Sequence, residues 1–134
     1  MKLTFPFQYI ATNEFGKIFR PYADLYVLNK DFGFYVHKIL VVDSGADFTI
    51  FPRRDAYSFG IDLDKETTKS KINGVGGEET VYLYDNLEIK LSETKLKIPV
   101  GFIDRNNIPA LLGRQQFMEL FKVTFGDFKV IFQK

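Results

Sequence analysis

Cysteine is absent from the 134 residues, so neither disulfides nor thiolate metal ligands hold this chain together. Histidine is nearly absent. The single His37 would have to serve Ser44 or Ser58 as base, which all but excludes a serine triad, and a lone histidine early in a strand reads as structural. Charge of one sign is not in excess either: the formal net charge is +1, which gives no basic surface for nucleic acid and no acidic tail. Without clustered Lys and Arg, the 15 Phe and 7 Tyr read as core and pocket walls rather than a base-stacking platform. No long apolar run develops at the N-terminus, where Pro6, Gln8 and Asn13 interrupt MKLTFPFQYIATNEFGK. That predicts neither a signal peptide nor a membrane span, and hence a cytoplasmic protein with no membrane partner. Repeats, low-complexity tracts and linkers are missing too, so residues 1–134 read as a single domain burying roughly two thirds of its unfolded surface.

What is present has a period of two. Leu3, Phe5, Phe7 and Tyr9 alternate, as do Leu87, Ile89 and Leu91, then Leu96, Ile98 and Val100 across the turn at residues 92–95. The chain is therefore expected to be mostly β. Residues 29–33 (NKDFG) read as a hairpin turn between strands over 23–28 and 34–42. A short helix is expected from Pro52, suited to a first helical position, to Gly60, suited to a left-handed cap. Residues 115–122 (QQFMELFK) read as a second helix, with Phe117, Leu120 and Phe121 on one face.

Three segments carry chemistry. In Val41-Val42-Asp43-Ser44-Gly45-Ala46-Asp47, a buried strand delivers a carboxylate into a glycine turn, where backbone N–H groups and the Ser44 hydroxyl can reach it. Ile72-Asn73-Gly74-Val75-Gly76-Gly77 is a glycine-rich tip ahead of Val81-Tyr82-Leu83-Tyr84, read as a mobile β-hairpin. A phosphate cradle would need a following helix and Lys-Ser/Thr or a third spaced glycine, and has neither. Ala110-Leu111-Leu112-Gly113-Arg114 places an apolar pair before glycine. A carboxylate metal site at Asp43 and Asp47 lacks further ligands, and no cofactor is expected.

In this order the three segments resemble the retropepsins, the single-domain aspartic proteases of retroviruses and their bacterial and archaeal relatives. The resemblance runs from about Arg20 to the C-terminus and leaves residues 1–19 as an N-terminal extension. It implies a closed β-barrel with a flap hairpin and one or two short helices. It makes Asp43 the catalytic acid, flanked by Ser44, which would bond across a dimer axis, and Gly45, which would accept substrate backbone. Asp47 would receive peptide N–H groups and be held by Arg114 of its own chain and by Arg20 of the other. For Arg20, plain surface charge is the alternative. Ala46, Asn73, Gly74, Val75 and Gly76 fall on the substrate cleft and flap tip. Phe48, Ile108, Pro109 and Leu111 would line apolar pockets, although each also fits a core position. Leu112, Gly113 and Arg114 form the element packed behind the site.

No second Asp-Ser/Thr-Gly exists in the chain. Aspartic-protease chemistry needs two carboxylates on one water, so the resemblance implies an isologous homodimer acting on peptide or protein. It also implies that Phe128–Phe132 enters an intersubunit sheet, while the extension, limited by Pro6 to an edge or a turn, folds back on its own subunit. A catalytically silent dimerisation or peptide-binding module is the alternative.

Overall fold

The computed structural model describes residues 1–74 and 76–134; Val75, assigned to the flap tip by sequence, lies outside the described residues. The chain opens with β1 (Lys2–Pro6), β2 (Gln8–Asn13), β3 (Gly16–Arg20), β4 (Tyr22–Leu28), β5 (Tyr35–Val42) and β6 (Thr49–Pro52). Two short helices follow, α1 (Arg53–Ser58) and α2 (Leu63–Glu66). Then come β7 (Thr68–Gly74), β8 (Gly77–Leu91), β9 (Thr94–Ile103), β10 (Leu111–Leu112), β11 (Lys122–Gly126) and β12 (Lys129–Gln133).

Period-two alternation becomes sheet as expected. Leu87, Ile89, Leu91, Ile98, Val100 and Phe102 point inward and are buried, and β8 and β9 pair as an antiparallel hairpin. Pro99 has no N–H to give the ladder, and the register slips opposite it, between Tyr84 and Leu87. In edge-to-edge order β4, β5, β10, β6, β9 and β8 are neighbours, and β8 pairs back onto β4, so six strands close a ring. β7 is the outer strand of a hairpin with β8, running out to Gly74 opposite Gly77. Inside the ring Phe51, Phe59 and Phe102 stack with centroids 5.1 to 6.2 Å apart.

α1 begins one residue later than expected. Pro52 is its N-cap, in extended conformation, and Gly60 follows the helix at φ +72°. The helix expected over 115–122 does not form. Gln116 takes φ 55°, which leaves the helical path, and only Met118–Leu120 make a 3-10 turn before Lys122 enters β11. Phe117 is buried, but Leu120 faces solvent. Strand pairing of β11 with β12 outweighs the local helical spacing.

The chain ends lie together. β1 and β11 flank β12 on its two sides, all antiparallel, in a three-stranded sheet. Phe5 and Phe121 meet Phe132 edge-on at 5.9 Å, joining this sheet to the core. The extension thus pairs within its own chain. Within one chain β12 has a neighbour on each side, β1 and β11, so a second copy could extend this sheet at β1 or β11.

Candidate active site

Asp43 is the first residue after β5, whose Leu40 and Val42 are buried. Its position is fixed from three directions. Its N–H donates to the Leu112 carbonyl at 3.0 Å, its carbonyl accepts the Ala46 N–H at 3.1 Å, and its Oδ1 accepts the Gly45 N–H at 2.9 Å. Glycine is favoured at 45 because a Cβ there would stand 3.3 Å from that same oxygen. The carboxylate is half-buried, whereas Ser44 and Gly45 are exposed.

Behind the turn, β10 slides between the strand entering it and the strand leaving it. Leu111 and Leu112 run parallel to Val41 and Val42, and Leu111 also faces Ile50 of β6. Gly113 then lies directly on the backbone of Phe48: a Cβ would fall 2.2 Å from its carbonyl carbon and 2.3 Å from its oxygen. That approach lets Arg114 N–H reach the Ala46 carbonyl at 3.0 Å and Gln115 N–H reach the Asp47 carbonyl at 2.7 Å. The Gly113 N–H donates to the buried Thr49 hydroxyl at 3.1 Å. Sequence reasoning missed Thr49, which carries no motif signal until β10 is placed beside β6.

Arg114 Nη2 meets Asp47 Oδ1 at 2.5 Å in an exposed pair. Arg20 ends β3 in solvent and makes no ion pair among the described residues. Phe48 leans over Gly101, where an added Cβ would strike its Cε2 at 2.7 Å, and it lies outside the neighbouring cleft.

That cleft, about 400 Å³, opens between the β7–β8 hairpin and the segment leading into β10. Gly74, Gly76, Ile108, Pro109 and Leu111 line it, as expected by resemblance, and Asn73 and Ala46 do not. Ile50, Ile72, Ile103, Glu79 and Arg105 also line it, and Glu79 and Arg105 pair at 3.1 Å. A larger cleft of about 580 Å³ lies against α1 and the β4–β5 turn, and it shares no residue with the Asp43 motif. The smaller cleft holds none of residues 41–47 either, but its Leu111 pairs with Val41 of the strand that delivers Asp43. His37 bonds Asp24 at 2.8 Å and stacks on Tyr26. Among the described residues, no group of three His, Cys, Asp or Glu is placed to hold a metal, and no helix is long and apolar enough to cross a membrane.

A half-buried Asp43 on a glycine turn, locked by a threaded apolar-apolar-Gly strand, adjoins a cleft lined by the β7–β8 hairpin. Residues 36–115, more than half of the chain, match the family model for aspartyl protease, and the chain belongs to that family. Among solved structures it is similar to a retropepsin-like aspartic protease from Rickettsia conorii, with a TM-score of 0.68 and 20% identity over 98% of each chain. The fold is retropepsin-like. No curated protein matches the sequence.

Proposed function

We propose that this chain is an aspartic endopeptidase whose active site forms between two copies. The observation carrying this reading is the presented carboxylate of Asp43, held by the Gly45 N–H at 2.9 Å, with one such motif per chain. The sequence has one Asp-Ser/Thr-Gly, so one chain brings one such acid. Across a two-fold axis its symmetry mate supplies one, and like charges at that separation cannot both ionise, so one carboxyl stays protonated.

The chemistry then balances. The ionised carboxylate takes a proton from the shared water as its oxygen bonds to the scissile carbonyl carbon, and the protonated acid gives its proton to the carbonyl oxygen. A neutral gem-diol results. On collapse one hydroxyl gives its proton to the ionised acid, the C–N bond breaks, and the other acid gives its proton to the nitrogen, which leaves as amine. The β7–β8 hairpin acts as a flap over an extended substrate, and the Ile50, Ile103, Ile108 and Leu111 walls favour apolar side chains near the cut. Arg114 holds Asp47 to receive substrate N–H groups.

A peptide-library digest comparing the chain with Asp43→Asn tests this. Cleavage within extended apolar segments by the parent chain, abolished in the variant, is the expected result. More than a trace of cleavage by Asp43→Asn overturns the assignment of Asp43.

A further inference from the structure

β2 and β3 form a two-stranded sheet apart from the other two. Most of its residues are exposed, and a lone hairpin of that kind is marginal in water unless something covers it. Its tip presents Phe15, 96% exposed, on a backbone whose N–H is held by Asn13 Oδ1 at 2.9 Å. A large ring is thus displayed outward on an ordered turn.

The hairpin is rooted beside the catalytic turn. Gln8 pairs with Arg20 at its base, and the next residue, Pro21, accepts the N–H of Val42, the last residue before Asp43, at 2.8 Å. From Arg20 to Phe15 the strand spans about 17 Å at roughly 3.4 Å per residue. A compact chain of this size has a radius of gyration of about 14 Å. Two Asp43 carboxylates sharing a water bring the two-fold axis close to this root, and a projection of that length is long enough to cross to the second copy.

A different feature extends the same surface. The β11–β12 turn places Asp127 at φ 52° and Phe128 at φ 55°, a left-handed pair that ordinarily takes Asn-Gly or Asp-Gly. Phe128 holds that strained backbone while its side chain is 64% exposed. Its ring meets Phe19 at 5.3 Å and Phe7 at 6.1 Å, and Phe19 meets Tyr9 at 5.9 Å, giving one aromatic surface from the terminal sheet to the arm.

We propose that the β2–β3 hairpin is a dimerisation arm that clasps a second copy of this chain, Phe15 packing on the partner. The proposal rests on the two-chain active site above. The incomplete site selects the occupant: a second copy must sit at this end of the molecule for Asp43 to work.

Sedimentation and initial rates over a dilution series, for the parent chain and Phe15→Ser, test it. An almost fully exposed ring contributes little to the monomer's own packing, so far-UV circular dichroism should be unchanged. The variant's dimer dissociation constant should rise about tenfold or more, with activity per chain falling on dilution and recovering at high concentration. Self-association within twofold of the parent overturns the arm while leaving the dimeric active site standing, and points the arm to another protein or to a lipid surface. Full activity from a parent species shown to be monomeric overturns the two-chain site and the arm with it.

Discussion

Replacing Gly113 with alanine inserts one methyl group where the structure has no room. The added Cβ would sit 2.2 Å from the Phe48 carbonyl carbon, 2.3 Å from its oxygen and 2.7 Å from its Cα. Carbon atoms rest at about 3.5 Å or more, so the two backbones must part by roughly 1 Å. Neither is a side chain that can rotate away. Three hydrogen bonds cross the same gap, from Gly113, Arg114 and Gln115 to Thr49, Ala46 and Asp47, at 3.1, 3.0 and 2.7 Å. Lengthened by that amount they fall outside bonding range. At about 1 kcal/mol each, plus about 1–3 kcal/mol for overpacking, the cost is about 4–6 kcal/mol. A domain of this kind has about 5–15 kcal/mol in total, so Gly113→Ala removes roughly a quarter of its stability or more. At roughly 3–5 °C per kcal/mol, Tm should fall by about 12 °C at least. Gly126→Ala is the control, because nothing lies within 4 Å of its added Cβ and its φ is ordinary. Thermal unfolding followed by circular dichroism compares the two. A Gly113→Ala midpoint within about 3 °C of the Gly126→Ala value would refute the close approach of β10 to the Asp43 turn.

Asp43→Asn should keep the fold, because the Gly45 N–H can still bond the amide oxygen, and should lose peptide cleavage, checked by circular dichroism alongside the digest. Thr49→Val strands the buried Gly113 N–H and should cost about 1–3 kcal/mol in urea unfolding, whereas Thr49→Ser should restore most of it; equal stability of the two would contradict the bond. Glu66 is held below its ordinary carboxylate value, first by the Asp62 N–H and then by Lys30. A depressed acid contributes stability above its unfolded value that is lost as pH falls through its folded one, so Glu66→Gln should be less stable than the parent at pH 7, and the difference should close by pH 3. A difference that widens on acidification would reverse that sign.

Much of this fold was legible because its signals are local. The alternation of Leu87 to Leu91 and Leu96 to Val100 sets two inward faces, and the Asp-Ser-Gly turn and the Pro52–Gly60 helix are announced by residues with restricted or permissive backbones. The site's support was less legible, since it is built by pairing distant segments. Two residues, Leu111 and Leu112, have no period, and only their placement between Val41 and Ile50 shows why Gly113 must be glycine and why Thr49 is buried with a partner. The Glu79–Arg105 pair at the cleft arises in the same way, from residues on β8 and just beyond β9. Gln115 to Lys122 misled for the opposite reason. Its helical spacing is real, but Gln116 leaves the helical path and the segment must end where Lys122–Gly126 pairs with β12, which leaves room for one 3-10 turn.

The sheet that joins the chain's two ends has a consequence for how the molecule is made. Lys2 pairs with Gln133 and Pro6 with Lys129, contacts that span nearly the whole chain. During synthesis at about 5–20 residues per second, β1 therefore waits on the order of ten seconds for the strand that completes it. Leu3 and Phe5 remain uncovered for that interval, whereas β11 meets β12 almost as soon as both are made. The Asp43 turn and its ring can be assembled before this, but the terminal sheet closes last, since loop closure over such a separation is slow. Arrival of β12 is then itself the step that converts a sticky intermediate into a stable subunit, and a chain interrupted within β12 would keep its aspartate yet fail to finish folding.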